Sequence, residues 1–305
     1  MGPMPTRSKW QQLPTEAINP ATGAIDKLPL ADIIELMILD NWSVLEAIQE
    51  QKHHIALGAE MVTLALEKGG RLILVGAGTS GRLGVLEAAE IPPTFGTSPD
   101  LVQAIMAGGK AAVHRAKEGV EDNDQAGARA MRGLRPRRTD VVIGITASGV
   151  TPFVRGALTH ARKAGAAIVG ITCDPRSELQ TCVDHLISLA TGPEVIAGST
   201  RLKAGTATKV VLNMLTTAAM VRAGKTYGNL MVDVKAGSAK LRDRARRIIG
   251  MVTGLDDDEA DRLLRRASWN VKIAIVMQKT GQTPAKARAR LRQARQSVRQ
   301  AVGEV

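Results

Sequence analysis

A loop of glycines and hydroxyl-bearing residues, Gly76–Gly81, is the first stretch of the sequence that could do chemistry. It follows the apolar run Leu72–Val75, which is typical of a buried strand, and precedes a helix-competent segment, Leu83–Glu90. The free N–H groups and positive dipole of a helix N-terminus, together with the hydroxyls of Thr79 and Ser80, can bind a phosphate. The loop lacks the lysine of an ATP-binding P-loop. Taken alone, it could also be a plain strand-to-helix turn with a Ser/Thr cap.

A second loop with the same kinds of residue, Thr146–Pro152, follows another apolar run at Asp140–Ile145. Loops that follow parallel strands meet at one edge of a sheet, where α/β proteins bind ligands, so we expect the two loops to share a ligand. Several neutral donors suit the phosphate of a sugar that must be released again. A third turn, Ala197–Arg201, adds hydroxyls before the helical segment Lys203–Ala223. Seven residues of these turns are predicted to bind the ligand: Gly78, Thr79, Ser80, Ser148, Gly149, Thr151 and Ser199.

Short apolar runs alternate with helical stretches through the middle of the chain, which predicts an α/β fold with a parallel sheet and helices on both faces. Five strands are predicted: Arg71–Val75, Leu101–Met106, Asp140–Ile145, Ala166–Ile171 and His185–Leu189. An extended polar arm over residues 1–29 and helices at Leu30–Leu39 and Val44–Leu66 precede them. The predicted helices after Gly237, of which the last three should form a bundle, are Ser238–Ile249, Asp256–Arg266, Val271–Gln278 and Pro284–Val302.

The composition excludes several classes of protein. Cys173 and Cys182 lack CxxC spacing, so they indicate neither a disulfide framework nor a zinc site. Few aromatic residues are present to stack on bases, and the net charge of +12, concentrated after Lys235, is typical of solvated basic helix faces. We therefore do not expect a nucleic-acid partner. The sequence has neither a membrane-length apolar run nor a signal-peptide core, so a soluble, cytoplasmic protein without a membrane partner is expected.

Five segments carry a resemblance to a known family. They are GAGTSGRLGVLEAAEIPPTFG (Gly76–Gly96), AKEGVEDN (Ala116–Asn123), ITASGVTPFV, GPEVIAGSTRLKAGTATKVVLNML (Gly192–Leu215) and YGNLMVDV (Tyr227–Val234). From about Thr15 onward the sequence resembles the N-acetylmuramic acid 6-phosphate etherases. The resemblance implies a flavodoxin-like, five-stranded parallel sheet of the sugar isomerase type and a homodimer with active sites near the subunit interface. It also implies three parts: N-terminal arm and helices (1–62), sugar isomerase domain (63–235) and a bundle similar to ubiquitin-associated domains (236–305).

The resemblance implies a carbon–oxygen lyase that releases D-lactate from the C3 ether of N-acetylmuramic acid 6-phosphate during recycling of cell-wall amino sugars. The sugar opens to its aldehyde, loses the C2 proton, expels lactate and adds water at C3, with no metal and no cofactor. Carboxyl groups can move these protons when their pKa values are shifted toward neutrality. The resemblance gives this role to Glu90, at a predicted helix end before Pro92 and Pro93, and to Glu121.

Two other functions are kept as alternatives. One is a sugar-phosphate sensor that regulates a partner, as glucokinase regulatory protein does, and the other is a phosphosugar isomerase that also removes a C2 proton. The presence of both glutamates in their motifs favours the lyase. The chain departs from the family at Val150, where Arg is common; if that side chain steers lactate or phosphate, its replacement by Val affects substrate affinity. It also departs at Glu87, where Asp is commoner and which is interpreted as structural.

Overall fold

The computed structural model of the chain describes residues 13–234 and 236–304. The part of the predicted arm at residues 1–12 lies outside the described residues. The described chain forms two compact units, one of residues 13–88 with 102–215 and the other of residues 89–101 with 216–304, apart from Lys235.

The first unit is built on a five-stranded, all-parallel sheet in the order β2-β1-β3-β4-β5. The strands are β1 (Leu72–Gly76), β2 (Val102–Met106), β3 (Val141–Ile145), β4 (Ala167–Thr172) and β5 (His185–Ser188). The predicted flavodoxin-like α/β fold is confirmed, and each predicted strand lies within one residue of its bounds. The strand order reverses between β1 and β3, where Gly76 pairs with Ile145, so the crevice beyond these strand ends is the expected ligand position.

The arm is folded rather than extended over its described part. Residues 13–28 contain three 3-10 turns, Pro14–Glu16, Pro20–Thr22 and Ile25–Lys27. Proline at the start of two of these turns fixes φ near the helical value, and the side chain of Asn19 caps the second turn. The prediction of an extended arm was wrong here because polar composition does not report this turn chemistry.

Three helices lie between the arm and β1. They are α1 (Leu30–Asp40), α2 (Trp42–Glu50) and α3 (Lys52–Glu67). The prediction of one helix over Val44–Leu66 is wrong at Gln51, which has φ −90° and ψ 7°. The Gln51 side-chain oxygen accepts a hydrogen bond from the N–H of Ser188 (3.1 Å), a backbone donor on the edge strand β5. The apolar pattern continues through this break, so the sequence does not reveal it.

Five α-helices lie between β1 and residue 225 of the described chain. They are α4 (Gly78–Phe95), α5 (Lys110–His114), α6 (Asp124–Leu134), α7 (Pro152–Lys163) and α8 (Lys203–Arg222). Glycines allow α6 and α7 to pack closely, because a Cβ added at Gly127 would lie 1.9 Å from the carbonyl oxygen of Phe153. Apolar residues of α7 pack with those of β1, β3 and β4 in a buried core. This core supports the strand ends and their loops.

The end of α4 differs from its prediction. The sequence predicts a stop at Glu90, but the helix continues through Pro92 and Pro93. Each proline removes one N–H donor and crowds the carbonyl one turn earlier, so the helix continues here without two of its backbone hydrogen bonds, although the φ of proline is itself helical. Thr94 Oγ1 donates to the Glu90 carbonyl (2.8 Å), and Gly96, with φ 63°, donates its N–H to the Pro92 carbonyl (2.9 Å).

The second unit contains a helical bundle. Its helices are α9 (Ala239–Thr253), α10 (Asp257–Arg266), α11 (Val271–Thr280), α12 (Pro284–Gln293) and α13 (Val298–Val302). The prediction of one helix over Pro284–Val302 is wrong, because Arg295 and Gln296 take φ values of 47° and 68° and separate α12 from α13. The turn brings Val298 and Ala301 into the core of the bundle, which also includes residues of α9.

Helix α11 is the central helix of this bundle. Every residue of Val271–Met277 is buried, including Lys272. The Nζ atom of Lys272 lies 2.6 Å from Oδ2 of Asp233. Burial lowers the pKa of Lys272, and the neighbouring carboxylate only partly offsets this effect. A helix that is apolar on all sides needs neighbours on all sides, and α9, α10, α12 and α13 supply them.

Candidate active site

A cavity of about 370 Å³ opens at the carboxyl edge of the sheet. Its walls are formed by the loops after β1 and β3, by residues 116–121, by Thr15 and Glu16 of the arm, and by the turn before α8. All of these residues belong to the first unit. The cavity therefore occupies the position at which doubly wound sheets bind ligands.

The loop after β1 needs its glycines for close packing. A Cβ added at Gly76 would lie 2.6 Å from the nitrogen of Gly81, and one added at Gly81 would lie 2.8 Å from the Gly76 carbonyl oxygen. Gly78 has φ 53°, in the left-handed region that favours glycine. Helix α4 can consequently begin directly at the strand end. Gly78, Thr79 and Ser80, all predicted binding residues, line the cavity.

The loop after β3 is held in shape by its own hydroxyls. The side-chain oxygens of Thr146 and Thr151 are 2.7 Å apart, and the Gly149 N–H donates to Thr146 Oγ1 (3.1 Å). Gly149 has φ 74°, and its carbonyl accepts a hydrogen bond from Ser177 Oγ (3.2 Å). Ser148 and Thr151 line the cavity, whereas the predicted binding residue Gly149 is buried behind them and does not.

A buried carboxylate fixes the turn before α8. Glu194 is 1% exposed and accepts hydrogen bonds from the first two N–H groups of α8, those of Lys203 and the next residue (2.9 and 3.0 Å). A negative charge is favourable at this end of a helix. In the adjoining turn Gly198 and Thr200 line the cavity, whereas the predicted Ser199 does not.

The two predicted catalytic glutamates occupy different positions. Glu121 is half-buried, lines the cavity, and belongs to the 3-10 turn Val120–Asp122, which Gly119 enters with φ 72°. Glu90 is exposed on α4, twelve residues beyond Gly78, and belongs to the second unit. The structure thus brings Glu121 to the two hydroxyl-bearing loops.

Four charged residues on the cavity wall were not singled out from the sequence. They are Glu16, Arg82, Lys117 and Glu118. The guanidinium of Arg82 donates to two carbonyl oxygens of α5 (2.9 and 3.0 Å), so it holds α5 and leaves the loops to present neutral donors. Lys117 and Glu118 belong to the AKEGVEDN segment. The cluster of charged residues beside Glu121 in this segment is the sequence feature that could have identified them as cavity residues. Glu16 belongs to the segment where the family resemblance begins.

Several residues near the sheet are structural. Glu87, interpreted as structural, is buried and accepts a hydrogen bond from Nδ2 of Asn213 on α8 (2.6 Å). Cys173 is buried, and that burial raises the pKa of its thiol to about 12, so the thiol stays protonated. His54 and His185 stack with ring centroids 5.3 Å apart.

Within residues 13–234 and 236–304, no three His, Cys, Asp or Glu side chains are grouped as metal ligands would be. Over the same part of the chain, no helix has the length and apolar character needed to span a bilayer.

Comparison with known proteins places this architecture in a class. Residues 54–162 match the family model of the glucokinase regulatory protein N-terminal SIS domain, and residues 120–218 match the SIS domain. A phosphoheptose isomerase from Francisella tularensis shares the fold, with a TM-score of 0.50 and 19% identity, covering 65% of this chain and 98% of that chain. The fold and the position of the cavity therefore define a sugar isomerase domain.

Two curated relatives are much more similar in sequence. The N-acetylmuramic acid 6-phosphate etherase of Rubrobacter xylanophilus is 47% identical over 293 residues, which cover 96% of this chain and 97% of the relative. The etherase of Microcystis aeruginosa is 48% identical over 297 residues, with the same coverage of 96% and 97%. The chain belongs to the N-acetylmuramic acid 6-phosphate etherase family and is an enzyme of the carbon–oxygen lyase class. The predicted family is confirmed, and neither alternative function is favoured.

Proposed function

We propose that the chain cleaves the D-lactyl ether of N-acetylmuramic acid 6-phosphate to N-acetylglucosamine 6-phosphate and D-lactate, by elimination and then addition of water. One observation carries the proposal: two hydroxyl-bearing loops and Glu121 line one cavity in a chain nearly half identical to etherases. The proposed setting is cytoplasmic recycling of peptidoglycan amino sugars.

Neutral donors at the N-terminus of α4 bind the phosphate in this proposal. Thr79 and Ser80 supply hydroxyls from the first turn, and Ser148 supplies one from the loop after β3. Free N–H groups at the start of α4 and the helix dipole add to the attraction. A site without a guanidinium clamp releases a phosphorylated product readily. The remaining proposed binding residues shape these turns: Gly78, Gly149, Thr151 and Ser199.

The proposed elimination needs a base for the C2 proton and an acid for the leaving oxygen. In the ring-opened aldehyde, the C2–H electron pair forms a C2–C3 double bond while the C3–O bond breaks. Lactate leaves with the ether oxygen and takes up a proton. Water then adds at C3 and a proton returns to C2. We assign Glu90 as the principal acid and base and Glu121 to the water, and the place of Glu121 in the cavity wall supports its part.

A homodimer belongs to the proposal. Helix α1 has no buried residue, and Leu30, Ile34, Ile38 and Leu39 on it are each more than half exposed. An apolar surface of this kind favours an interface, and a two-fold axis lets the same surface meet itself on a second copy. In this proposal Glu90, which is exposed on α4, acts in the partner's site. We keep 1–62, 63–235 and 236–305 as proposed domains, although residues 89–101 and 216–234 form one compact unit with the bundle.

The proposed activity is tested by incubating the protein with N-acetylmuramic acid 6-phosphate in heavy-oxygen water and assaying lactate. Elimination breaks the bond between C3 and the ether oxygen, so the label should enter C3 of the sugar product and be absent from lactate. Label in lactate would mean attack at the lactyl carbon. Binding of the sugar phosphate without any release of lactate would support the sensor alternative.

The catalytic assignment is tested with Glu90→Gln and Glu121→Gln, with Glu60→Gln on the exposed face of α3 as the control. Each catalytic variant should lose roughly 10² to 10⁴ in turnover, the usual contribution of a general acid or base. Co-expression of the two inactive variants then locates Glu90. If it acts across the dimer, mixed dimers regain one intact site and the population recovers about a quarter of wild-type activity. No recovery would mean that both glutamates act from the same chain.

A further inference from the structure

The arm, residues 13–28, is fastened to the turn that precedes α8. The Gly198 N–H donates to the Thr15 carbonyl (3.1 Å), and Thr22 Oγ1 donates to the Val195 carbonyl (3.0 Å). Asn19 Nδ2 donates to another carbonyl of the same turn (3.4 Å). Thr15, Asn19 and Thr22 are all buried. The arm is therefore a fixed part of the cavity wall.

The carboxylate of Glu16 lies against this turn at the cavity. A Cβ added at Gly198 would lie 3.1 Å from Glu16 Oε2 and 3.8 Å from Oε1, and both residues line the cavity. Among the described residues, no donor pairs with the Glu16 carboxylate. The adjacent Thr15 is 3% exposed and also lines the cavity, and its hydroxyl has no hydrogen-bond partner in the described part of the chain. The exposed Glu16 carboxylate is therefore open to donors of a ligand, whereas the unpaired Thr15 hydroxyl beside it is buried.

A carboxylate accepts hydrogen bonds and repels anions. It therefore disfavours the phosphate of a sugar phosphate and favours the end of the molecule that carries hydroxyl and amide donors. The neutral donors Thr79 and Ser80 at the start of α4 offer the opposite preference. Glu16 and the start of α4 therefore favour opposite ends of a sugar phosphate.

We propose that Glu16 is a positioning and specificity-determining residue that accepts hydrogen bonds from donor groups of the sugar and directs its phosphate to α4. This role rests on the proposed function, because it requires that the cavity bind a phosphosugar. The carboxylate contacts the ligand and takes no part in proton transfer. It therefore acts on affinity far more than on turnover.

The test compares Glu16→Ala and Glu16→Gln with Asp26→Asn, an exposed carboxylate of the same arm that does not line the cavity. Binding of two probes, N-acetylglucosamine 6-phosphate and inorganic phosphate, is measured by calorimetry. Glu16→Ala should weaken binding of the sugar phosphate roughly 10- to 100-fold, as expected for loss of hydrogen bonds to a charged acceptor. Binding of inorganic phosphate should be unchanged or tighter, because a negative charge is removed. KM should rise with kcat within a few-fold of wild type, and Asp26→Asn should match wild type throughout.

A purely structural role for Glu16 would weaken both probes equally, and that result would overturn the proposal, as would unchanged binding of both. Glu16→Gln keeps the size of the side chain and decides the question if Glu16→Ala fails to fold. Failure of the wild-type protein to bind the sugar phosphate would overturn the proposed function together with this inference. Wild-type binding with no effect of the Glu16 variants would overturn the inference alone.

Discussion

Asp140 lies fully buried just before β3 and binds two arginines. Its Oδ2 atom is 2.7 Å from the Arg71 guanidinium, and its Oδ1 atom is 3.2 Å from that of Arg137. Burial alone would raise the pKa of Asp140, but the hydrogen bonds from Arg71 and Arg137 outweigh burial and hold the pKa below its ordinary value of 3.8. The ionised carboxylate therefore stabilises the amino edge of the sheet.

Asp140→Asn should lower the free energy of unfolding by about 3 kcal/mol at neutral pH, because it leaves the partly buried Arg71 without its charge partner. A group with a depressed folded-state pKa contributes stability above its unfolded pKa and loses that contribution as the pH falls through the folded value. The difference between Asp140→Asn and wild type should therefore shrink below about pH 4. Urea unfolding at several pH values measures this difference in unfolding free energy, with Asp26→Asn as control. A pH-independent difference would contradict the explanation.

A substitution at Gly149 tests whether the conformation of the loop after β3 is tightly fixed. An alanine Cβ there would lie 1.8 Å from Ser177 Oγ, and φ 74° is unfavourable for alanine. Gly149→Ala should destabilise the protein by about 1–3 kcal/mol and displace Ser148, weakening phosphosugar binding. The control is Gly133→Ala, in an exposed part of α6 with open space around it, which should be neutral or slightly stabilising. Thermal unfolding measures the loss of stability, and calorimetry measures the loss of phosphosugar affinity. If Gly149→Ala binds the sugar phosphate as tightly as wild type, the loop does not need this conformation to bind it.

Sequence patterns located much of the cavity wall but not all of it. Thr79, Ser80 and Ser148 could be predicted because their loops directly follow apolar strands, and local sequence determines such turns. Thr15 and Glu16 could not, because the arm reaches the cavity through hydrogen bonds to residues more than 170 positions later in the chain. Periodicity carries no information on contacts of that range.

At the scale of the element, α8 depends on a single buried carboxylate. In Glu194→Gln, one oxygen that accepts an N–H of α8 becomes an NH₂ group that faces a donor. We expect a loss of roughly 2–3 kcal/mol in unfolding free energy, the value of hydrogen bonds to a charged group. The turn at residues 198–200 should also loosen, so KM should rise. Glu60→Gln serves as control, and unchanged stability in Glu194→Gln would show that α8 does not need this cap.

The elements also show where sequence reasoning fails. The strand bounds were predicted within one residue, because short runs of buried Val and Ile between glycine-rich loops are typical of strands in a parallel sheet. Helix ends were predicted less well. The break at Gln51 depends on a hydrogen bond to β5, and the turn at Arg295 and Gln296 depends on burial of α13 in the bundle. Pro92 and Pro93 misled in the other direction, since α4 continues through them despite the two N–H donors that they lack.

At the scale of the whole molecule, the proposed homodimer makes a definite prediction. Ile34→Asp and Ile38→Asp place charges on the apolar face of α1, where burial against a second copy would leave them desolvated and unpaired. Sedimentation should show a dimer for wild type and a monomer for the double variant. Both side chains are more than half exposed in the single chain, so the two substitutions should change the thermal stability of the isolated subunit very little. A wild-type monomer would contradict the proposal, and a folded double variant that remains dimeric would place the interface elsewhere.

The buried helix α11 has a consequence for the fate of the protein in the cell. Val271–Met277 reads VKIAIVM, a seven-residue segment rich in β-branched residues that the surrounding helices hide from solvent. Segments of this type pair readily as intermolecular strands once they are exposed. Lys272 is the one charge that interrupts the run, and in the folded bundle it is engaged by Asp233. A chain truncated or nicked between α11 and α12 would present this segment uncovered, and we expect it to be lost to aggregation or proteolysis rather than to persist as a free sugar isomerase domain.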